Sequence, residues 1–285
     1  MKIGFVTNTL STVGMRDTAE IFKWAEENKF QTLEIGPAIP LKAEELKKLQ
    51  QQYNLEITSF LYMRNILSRE KKEREIHINK IKERIDVANE IGVKYVTVST
   101  GRDETKSYTE NLRLFEKGFS PLLNYAERKK VTLAFENCPE MWNIAISPLM
   151  WRRIFEIFPS PNLGLCFDPS HLVWLHIDPY KAIFEAKERI CYVHAKDTEI
   201  LRERLHTCGI LTDHLYGKRS AYPWWRHRIV GWGEINWKKF ITNLMQVGFD
   251  GVISIEHEDP VWSGSEEKVK KGLILAHNYL KGIIL

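Results

Sequence analysis

Four side chains able to bind a hard or borderline metal ion end four successive apolar runs of the sequence. They are Glu136 in Ala134-Phe135-Glu136-Asn137, Asp168 in Cys166-Phe167-Asp168-Pro169-Ser170-His171, His194 in Val193-His194-Ala195-Lys196-Asp197, and Glu256 in Ser254-Ile255-Glu256-His257-Glu258. Taken singly, a carboxylate at a strand end is an ordinary helix cap or half of an ion pair. Carried by adjacent strands, the four share one small space. Two carboxylates about 4 Å apart repel by roughly 4 kcal/mol at an effective dielectric of about 20, so three converging ones carry on the order of 10 kcal/mol. They must take up protons, meet cations or bind a metal. Lys196, of the same parity as His194, neutralises one of them, either reaching the site to polarise a carbonyl or forming an ion pair. A divalent cation with a neutral imidazole neutralises most of the set at once. Three carboxylates and one imidazole make an oxygen-rich donor set suited first to Mn²⁺, with Mg²⁺, Co²⁺ and Zn²⁺ as alternatives.

The elements that must position these residues are legible as a beat. Short β-rich runs fall at 3–7, 32–35, 56–61, 95–99, 132–136, 163–168, 191–194 and 252–256, and longer segments between them repeat apolar residues at helical spacing, as in Ile21-Trp24-Ala25 and Ile81-Ile85-Ala88. Asp17-x-x-Glu20 and Ser263-x-x-Glu266 read as capping boxes, and Ser147-Pro148 and Asp178-Pro179 as caps ahead of a first-turn proline. Strands that alternate with helices pair in parallel through right-handed crossovers. The runs are apolar on both parities (Val96-Thr97-Val98, Leu133-Ala134-Phe135), as in a sheet covered on both faces. The expectation is an α/β fold, a single (β/α)₈ TIM barrel over residues 1–285, whose C-terminal strand ends carry the site. An open doubly wound sheet would place a Gly-rich turn after its first strand, and 8–14 read Asn-Thr-Leu-Ser-Thr-Val-Gly instead. After the seventh run comes an aperiodic stretch containing Tyr216, Tyr222, Trp224, Trp225 and Trp232. A loop this long in a compact domain is usually functional or disordered, and this one is too aromatic for disorder, so a lid-like insertion is expected over 198–233.

Composition bounds the partners. Of 285 residues, 41 are Lys or Arg and 37 Asp or Glu, a formal net charge of +4. That balance, with both signs mixed at helical spacing in its densest stretch, Arg69 to Arg84, does not make a nucleic-acid binder. No C-x-x-C pair occurs among Cys138, Cys166, Cys191 and Cys208. Met1-Lys2-Ile3-Gly4-Phe5 runs straight into a strand, and no uninterrupted apolar run reaches the roughly 18 residues of a membrane span. A cytoplasmic protein with no membrane partner is expected.

Phe135-Glu136-Asn137, Asp168-Pro169-Ser170-His171, Val193-His194-Ala195-Lys196-Asp197 and Ser254-Ile255-Glu256-His257-Glu258 together resemble the xylose isomerase-like barrel superfamily, the sugar isomerase/epimerase group that includes ketose 3-epimerases, inosose dehydratase and endonuclease IV. The resemblance implies that Glu136, Asp168, His194 and Glu256 hold one divalent metal, and that Glu136 and Glu256 are the acid/base pair. It implies that His171 contacts a small-molecule sugar, as does an arginine ahead of a glycine turn. Here that turn is Ile229-Val230-Gly231-Trp232-Gly233, and Arg228 is the arginine chosen. Lys196 and Trp142 are further candidate substrate contacts. The implied chemistry is isomerisation or epimerisation of a ketose or keto-sugar through an enediolate, with a dehydratase or lyase as the alternative on the same metal. Such barrels also pair as dimers or tetramers. A nuclease would need histidines at the third and fourth strand ends, which read Phe60-Leu61-Tyr62-Met63 and Ser99-Thr100-Gly101. A non-catalytic carbohydrate-binding barrel would leave the complete ligand set without a use.

Overall fold

The computed structural model describes residues 1–139, 142–210 and 224–284. Strands β1 (Lys2–Val6), β2 (Thr32–Ile35), β3 (Glu56–Tyr62), β4 (Tyr95–Val98), β5 (Thr132–Glu136), β6 (Leu163–Phe167) and β7 (Ile190–Ala195) are followed by β8 (Asp197–Ile200), β9 (Trp225–Arg228) and β10 (Val252–Ile255). The helices are α1 (Asn8–Ser11), α2 (Thr18–Glu27), α3 (Ala43–Tyr53), α4 (Lys71–Ile91), α5 (Tyr108–Arg128), α6 (Pro148–Ile157), α7 (Pro169–Trp174), α8 (Pro179–Ala186), α9 (Arg202–Cys208), α10 (Trp237–Gln246) and α11 (Glu266–Ile284). Eight strands close a parallel barrel in the order β1-β10-β7-β6-β5-β4-β3-β2. The expected TIM barrel is the observed fold, with each of the eight runs on a barrel strand.

Apolar side chains such as Phe5, Leu33, Ile57, Val96, Leu133, Leu165, Val193 and Ile253 belong to one large core shared with the helices. Small and polar groups occupy the barrel interior. Ser59 Oγ lies 2.8 Å from Thr97 Oγ1, and Thr58 Oγ1 lies 2.8 Å from the Tyr192 hydroxyl. Tyr192 packs with Ala134, Cys166 and Val252 as a plug one layer beneath His194, two residues along the same face of β7. Closure also needs Gly4, because a Cβ there would stand 2.0 Å from Thr32 Oγ1 and 2.3 Å from the Thr32 carbonyl oxygen.

The caps follow the sequence in part. Asp17 accepts the Glu20 amide, and Asp178 accepts those of Tyr180 and Lys181. Ser147 precedes α6 without a side-chain cap bond. Helix α11 is capped by Ser265, which accepts the Lys268 amide, and not by the expected Ser263. Ser263 closes the 3₁₀ turn Pro260–Trp262 instead, donating its hydroxyl to the Pro260 carbonyl.

The stretch after β7 is not the aperiodic loop that the sequence suggests. Its base is a two-stranded antiparallel sheet, Asp197 opposite Arg228 through Ile200 opposite Trp225. Two four-residue strands so far apart in sequence leave no readable period. Trp224 and Trp225 are buried with Ile200 against Val173, Trp174 and Leu205, while Trp232 is exposed. Tyr216 and Tyr222 lie outside the described residues. Buried Asp197 anchors the returning chain, accepting the amides of Thr198, Gly231 and Ile235 and the Trp237 indole N–H. Among the described residues no helix is long and apolar enough to cross a membrane.

Candidate metal centre

Neighbouring barrel strands deliver the four ligand-type residues. Glu136 is the last residue of β5, Asp168 follows β6 as the N-cap of α7, His194 lies in β7, and Glu256 follows β10. Each offers one ligand atom, and these atoms all lie within 4.8 Å of one another. His194 Nδ1 is 3.1 Å from Glu136 Oε1 and 3.5 Å from Glu256 Oε2. Glu136 Oε1, Asp168 Oδ2 and His194 Nδ1 are buried and have no hydrogen-bond partner among the described residues. Buried acceptors left unsatisfied are costly. Here three of them converge, and with the Glu256 ligand atom all lie within 4.8 Å of one another, close enough to share one cation. The residues present therefore fit a divalent cation.

Surrounding side chains fix these ligands. Asp168 Oδ1 accepts the Ser170 amide at the start of α7, which leaves Oδ2 for the centre. Asn137 clamps the Asp168 backbone from both sides, accepting its N–H at 2.8 Å and donating to its carbonyl at 2.9 Å. The Asn143 amide donates to the Glu136 carbonyl, and its oxygen accepts the Thr100 amide. His194 is held from across the barrel, where Nε2 donates to Glu34 Oε2 at 2.8 Å. Thr97 donates to Glu34 Oε1 at 2.6 Å and in turn accepts from Ser59. A carboxylate on one imidazole nitrogen leaves the other as the ligating atom and raises its basicity. From its place at the end of the second run, Glu34 reads in the sequence as a carboxylate for a hydroxyl or an arginine, and Asn137 and Asn143 carry no signal of their own. The readable trace was that Glu34 ends the second run as the four ligands end theirs.

Charge is balanced tightly. Lys196 is buried and places Nζ 2.7 Å from Glu256, 2.9 Å from Glu258 and 3.3 Å from Asp168. Burial and Glu256 press Glu136 toward protonation, but His194 and His171 outweigh them and its carboxyl titrates at about 2. Burial likewise opposes ionisation of Glu256, while Lys196 and His194 hold it well below the usual carboxylate range. Both are thus ionised at neutral pH, as ligands must be.

The other expected contacts divide. His171 joins the centre, with Nε2 3.4 Å from Asp168 Oδ2 and 3.7 Å from Glu136 Oε1. Lys196 joins it as an ion-pair partner. Arg228 and Trp142 are not brought against the four ligands. Arg228 is held between Glu199 at 2.6 Å and Asp259 at 3.0 Å and lies over the Trp232 ring. Trp142 is exposed beyond β5, in a left-handed backbone conformation. His257 accepts the Asp259 amide and approaches the Trp262 carbonyl, so it orders the turn after β10.

A model of the family described as xylose isomerase-like TIM barrel matches residues 22–277. Over 102 residues the chain is 35% identical to the uncharacterized protein YfiH of Bacillus subtilis (strain 168), which is 35% of this chain and 32% of that protein. The chain thus covers about a third of the length of that relative. The structure of IolI protein with a bound zinc atom superimposes with a TM-score of 0.79 at 19% identity, covering 100% of this chain and 98% of that one. D-psicose 3-epimerase from Clostridium cellulolyticum H10, solved with D-tagatose, superimposes with a TM-score of 0.75 at 15% identity, covering 100% and 99%. At these identities the structural likeness is one of fold.

Proposed function

This chain belongs to the xylose isomerase-like TIM barrel family, and on that footing we propose that it is a metal-dependent sugar isomerase or epimerase acting on a ketose or keto-sugar derivative. The observation that carries the reading is the convergence of unsatisfied Glu136, Asp168 and His194 atoms, with Glu256, at the C-terminal mouth of the barrel. When bound there, a divalent cation supplies Lewis-acid stabilisation of negative charge on adjacent substrate oxygens. The oxygen-rich donor set favours Mn²⁺, with Mg²⁺, Co²⁺ and Zn²⁺ as alternatives; the IolI neighbour carries zinc.

The chain's own groups move the proton. One of Glu136 and Glu256, ionised, would remove the proton beside the substrate carbonyl; the other, having taken up a proton from solvent, would deliver that proton to the resulting enediolate, and the first would then release its own to solvent. Return to the opposite face gives an epimer, and return to the adjacent carbon gives an isomer. General acid–base participation of this kind is worth about 10²–10⁴-fold. His171 offers a hydrogen bond to a substrate oxygen. Lys196 favours a second reading, because a buried ammonium 2.7 Å from Glu256 is placed to protonate a departing hydroxyl, which would make the enzyme a dehydratase or lyase. In the primary reading it holds Glu256 in place. Arg228 would reach the sugar if substrate binding re-seats the insertion, and Trp142, beyond β5 and outside that insertion, remains a proposed contact.

The test is to incubate Mn²⁺-loaded protein in D₂O with a panel of free ketoses and keto-glycosides and to follow deuterium at carbon. Solvent exchange with an epimer or isomer as product supports the proposal, and loss of a hydroxyl supports the second reading. A stoichiometrically loaded protein that exchanges no carbon-bound hydrogen across the panel sinks both and leaves a binding barrel.

A further inference from the structure

Helices α4 and α5 lie side by side on the outside of the barrel. Towards their C-termini they are pinned together, the Tyr125 hydroxyl donating to Asp86 Oδ1 at 2.7 Å and Lys129 Nζ pairing with the same oxygen at 2.7 Å. Towards their N-termini a cleft of about 520 Å³ opens between them, over the loop that follows β3. That volume is in the range of small-molecule sites. Ile66 and Leu67 of the loop are buried at its base, and partly buried Ile78 and Leu114 supply its walls.

Gly118 keeps the cleft open. After proline, glycine is the costliest residue inside a helix, and the packing around α5 does not require one here. A Cβ at Gly118 would meet only Leu67 Cδ2, at 3.7 Å, which is ordinary contact. The missing side chain leaves space above the apolar floor.

The rim of the same cleft is basic. Arg69, Arg74, Lys106 and Lys117 line it with a single carboxylate, Asp103. Asp103 is already engaged, since Oδ1 accepts the Thr105 amide at 3.0 Å and hydroxyl at 2.6 Å and lies 3.1 Å from Arg69 Nε. Arg74 donates Nη1 to the Ser68 and Arg69 carbonyls at 2.6 and 2.9 Å, neutral acceptors that leave its charge uncompensated. Lys106 and Lys117 are exposed and enter no salt bridge among the described residues. The nearby acids are occupied elsewhere, Glu73 by Ser68 and His77 and Glu110 by the Ser107 cap. A purely apolar ligand would leave these cations unused. A simple anion would leave the floor unused and meet only solvated charges, which bind weakly.

We propose that the cleft between α4 and α5 is a second binding site, for a small amphipathic anion that lays an apolar chain on Ile66, Leu67, Ile78 and Leu114 and sets its carboxylate among the basic side chains of the rim. None of the four residues of the metal centre lines the cleft, so the site does not rest on the proposed function.

The test is calorimetric titration of the full-length protein with octanoate at neutral pH and low ionic strength, with octanol and acetate as controls. The expected result is saturable, one-to-one octanoate binding, ~tenfold or more tighter than either control and weakened by added salt. Gly118→Leu fills the cleft with a better helix former and should weaken octanoate ~tenfold. Lys117→Glu, an exposed change that leaves the floor intact, should weaken it by a similar factor, about the worth of one charged contact. Circular dichroism shows that each variant is folded, and the second variant reads the site should the first not fold. Octanoate that fails to saturate overturns the proposal, as does octanol that binds as tightly. Octanoate affinity unchanged in either folded variant also overturns it, because the ligand would then lie elsewhere.

Discussion

Glu34 offers the sharpest test of the proposed metal centre. Its carboxylate accepts the His194 Nε2–H at 2.8 Å, and both side chains are fully buried. Removing such a partner from a ligating histidine typically costs 10–100-fold in metal affinity, or about 1.4–2.7 kcal/mol. Glu34→Gln keeps an oxygen for the imidazole N–H, and its amide can donate to Thr97 Oγ1 in place of the bond that Thr97 now gives. The geometry survives while the charge is lost, so the expected loss is about tenfold, the lower end of that range. Glu34→Ala leaves both His194 Nε2–H and the Thr97 hydroxyl without their partner, and the loss moves to about 100-fold. The assay is competition of Zn²⁺ or Mn²⁺ between the protein and a chromophoric chelator, with circular dichroism to show that each variant is folded. Wild-type affinity in both folded variants would refute the reasoning, because the imidazole would then need no carboxylate behind it.

Further outcomes follow from other parts of the structure. Glu256→Gln removes a proposed base and should abolish deuterium exchange in the substrate panel while the fold is kept, so an active variant would refute the acid/base assignment. Gly4→Ala drives a methyl into Thr32 of the adjacent strand; overpacking of this kind costs about 1–3 kcal/mol, and an unchanged denaturation midpoint would contradict the close approach of β1 and β2. Buried His277, its ring tilted against Phe30 at 4.5 Å, has its pKa lowered by burial and by Lys281. The unfolded chain therefore takes up a proton near pH ~6.5 that the folded chain refuses. The contribution is fully present above that pH and is lost as pH falls. Stability measured by urea denaturation should drop on acidification more steeply in the wild type than in His277→Phe, and equal slopes would count against it.

Period and residue type together determined the architecture of this protein and the identity of the four residues that meet at the candidate metal centre. Parallel strands buried on both faces must be apolar at both parities, which makes Val96-Thr97-Val98 and Leu133-Ala134-Phe135 readable, and a strand-end Glu, Asp or His interrupts such a run visibly. Four interruptions on consecutive barrel strands were enough to place Glu136, Asp168, His194 and Glu256 in one space. The sequence also carried both roles for Lys196, and only the fold could show its pairing with Glu256 and Glu258, because that pairing depends on how β10 sets them beside β7. Glu34 is the deeper case. Its partner is 160 residues away and across the barrel, where closure and a register shift between β2 and β3 aim it at His194. The β8–β9 sheet and the stacking of Trp174 on Trp225 escaped for the same reason. A four-residue strand shows no period, and stacking between Trp174 and Trp225 is a relation between elements rather than within one. Local pattern encodes which face of an element is buried; which distant side chain meets it there is decided only when the barrel closes.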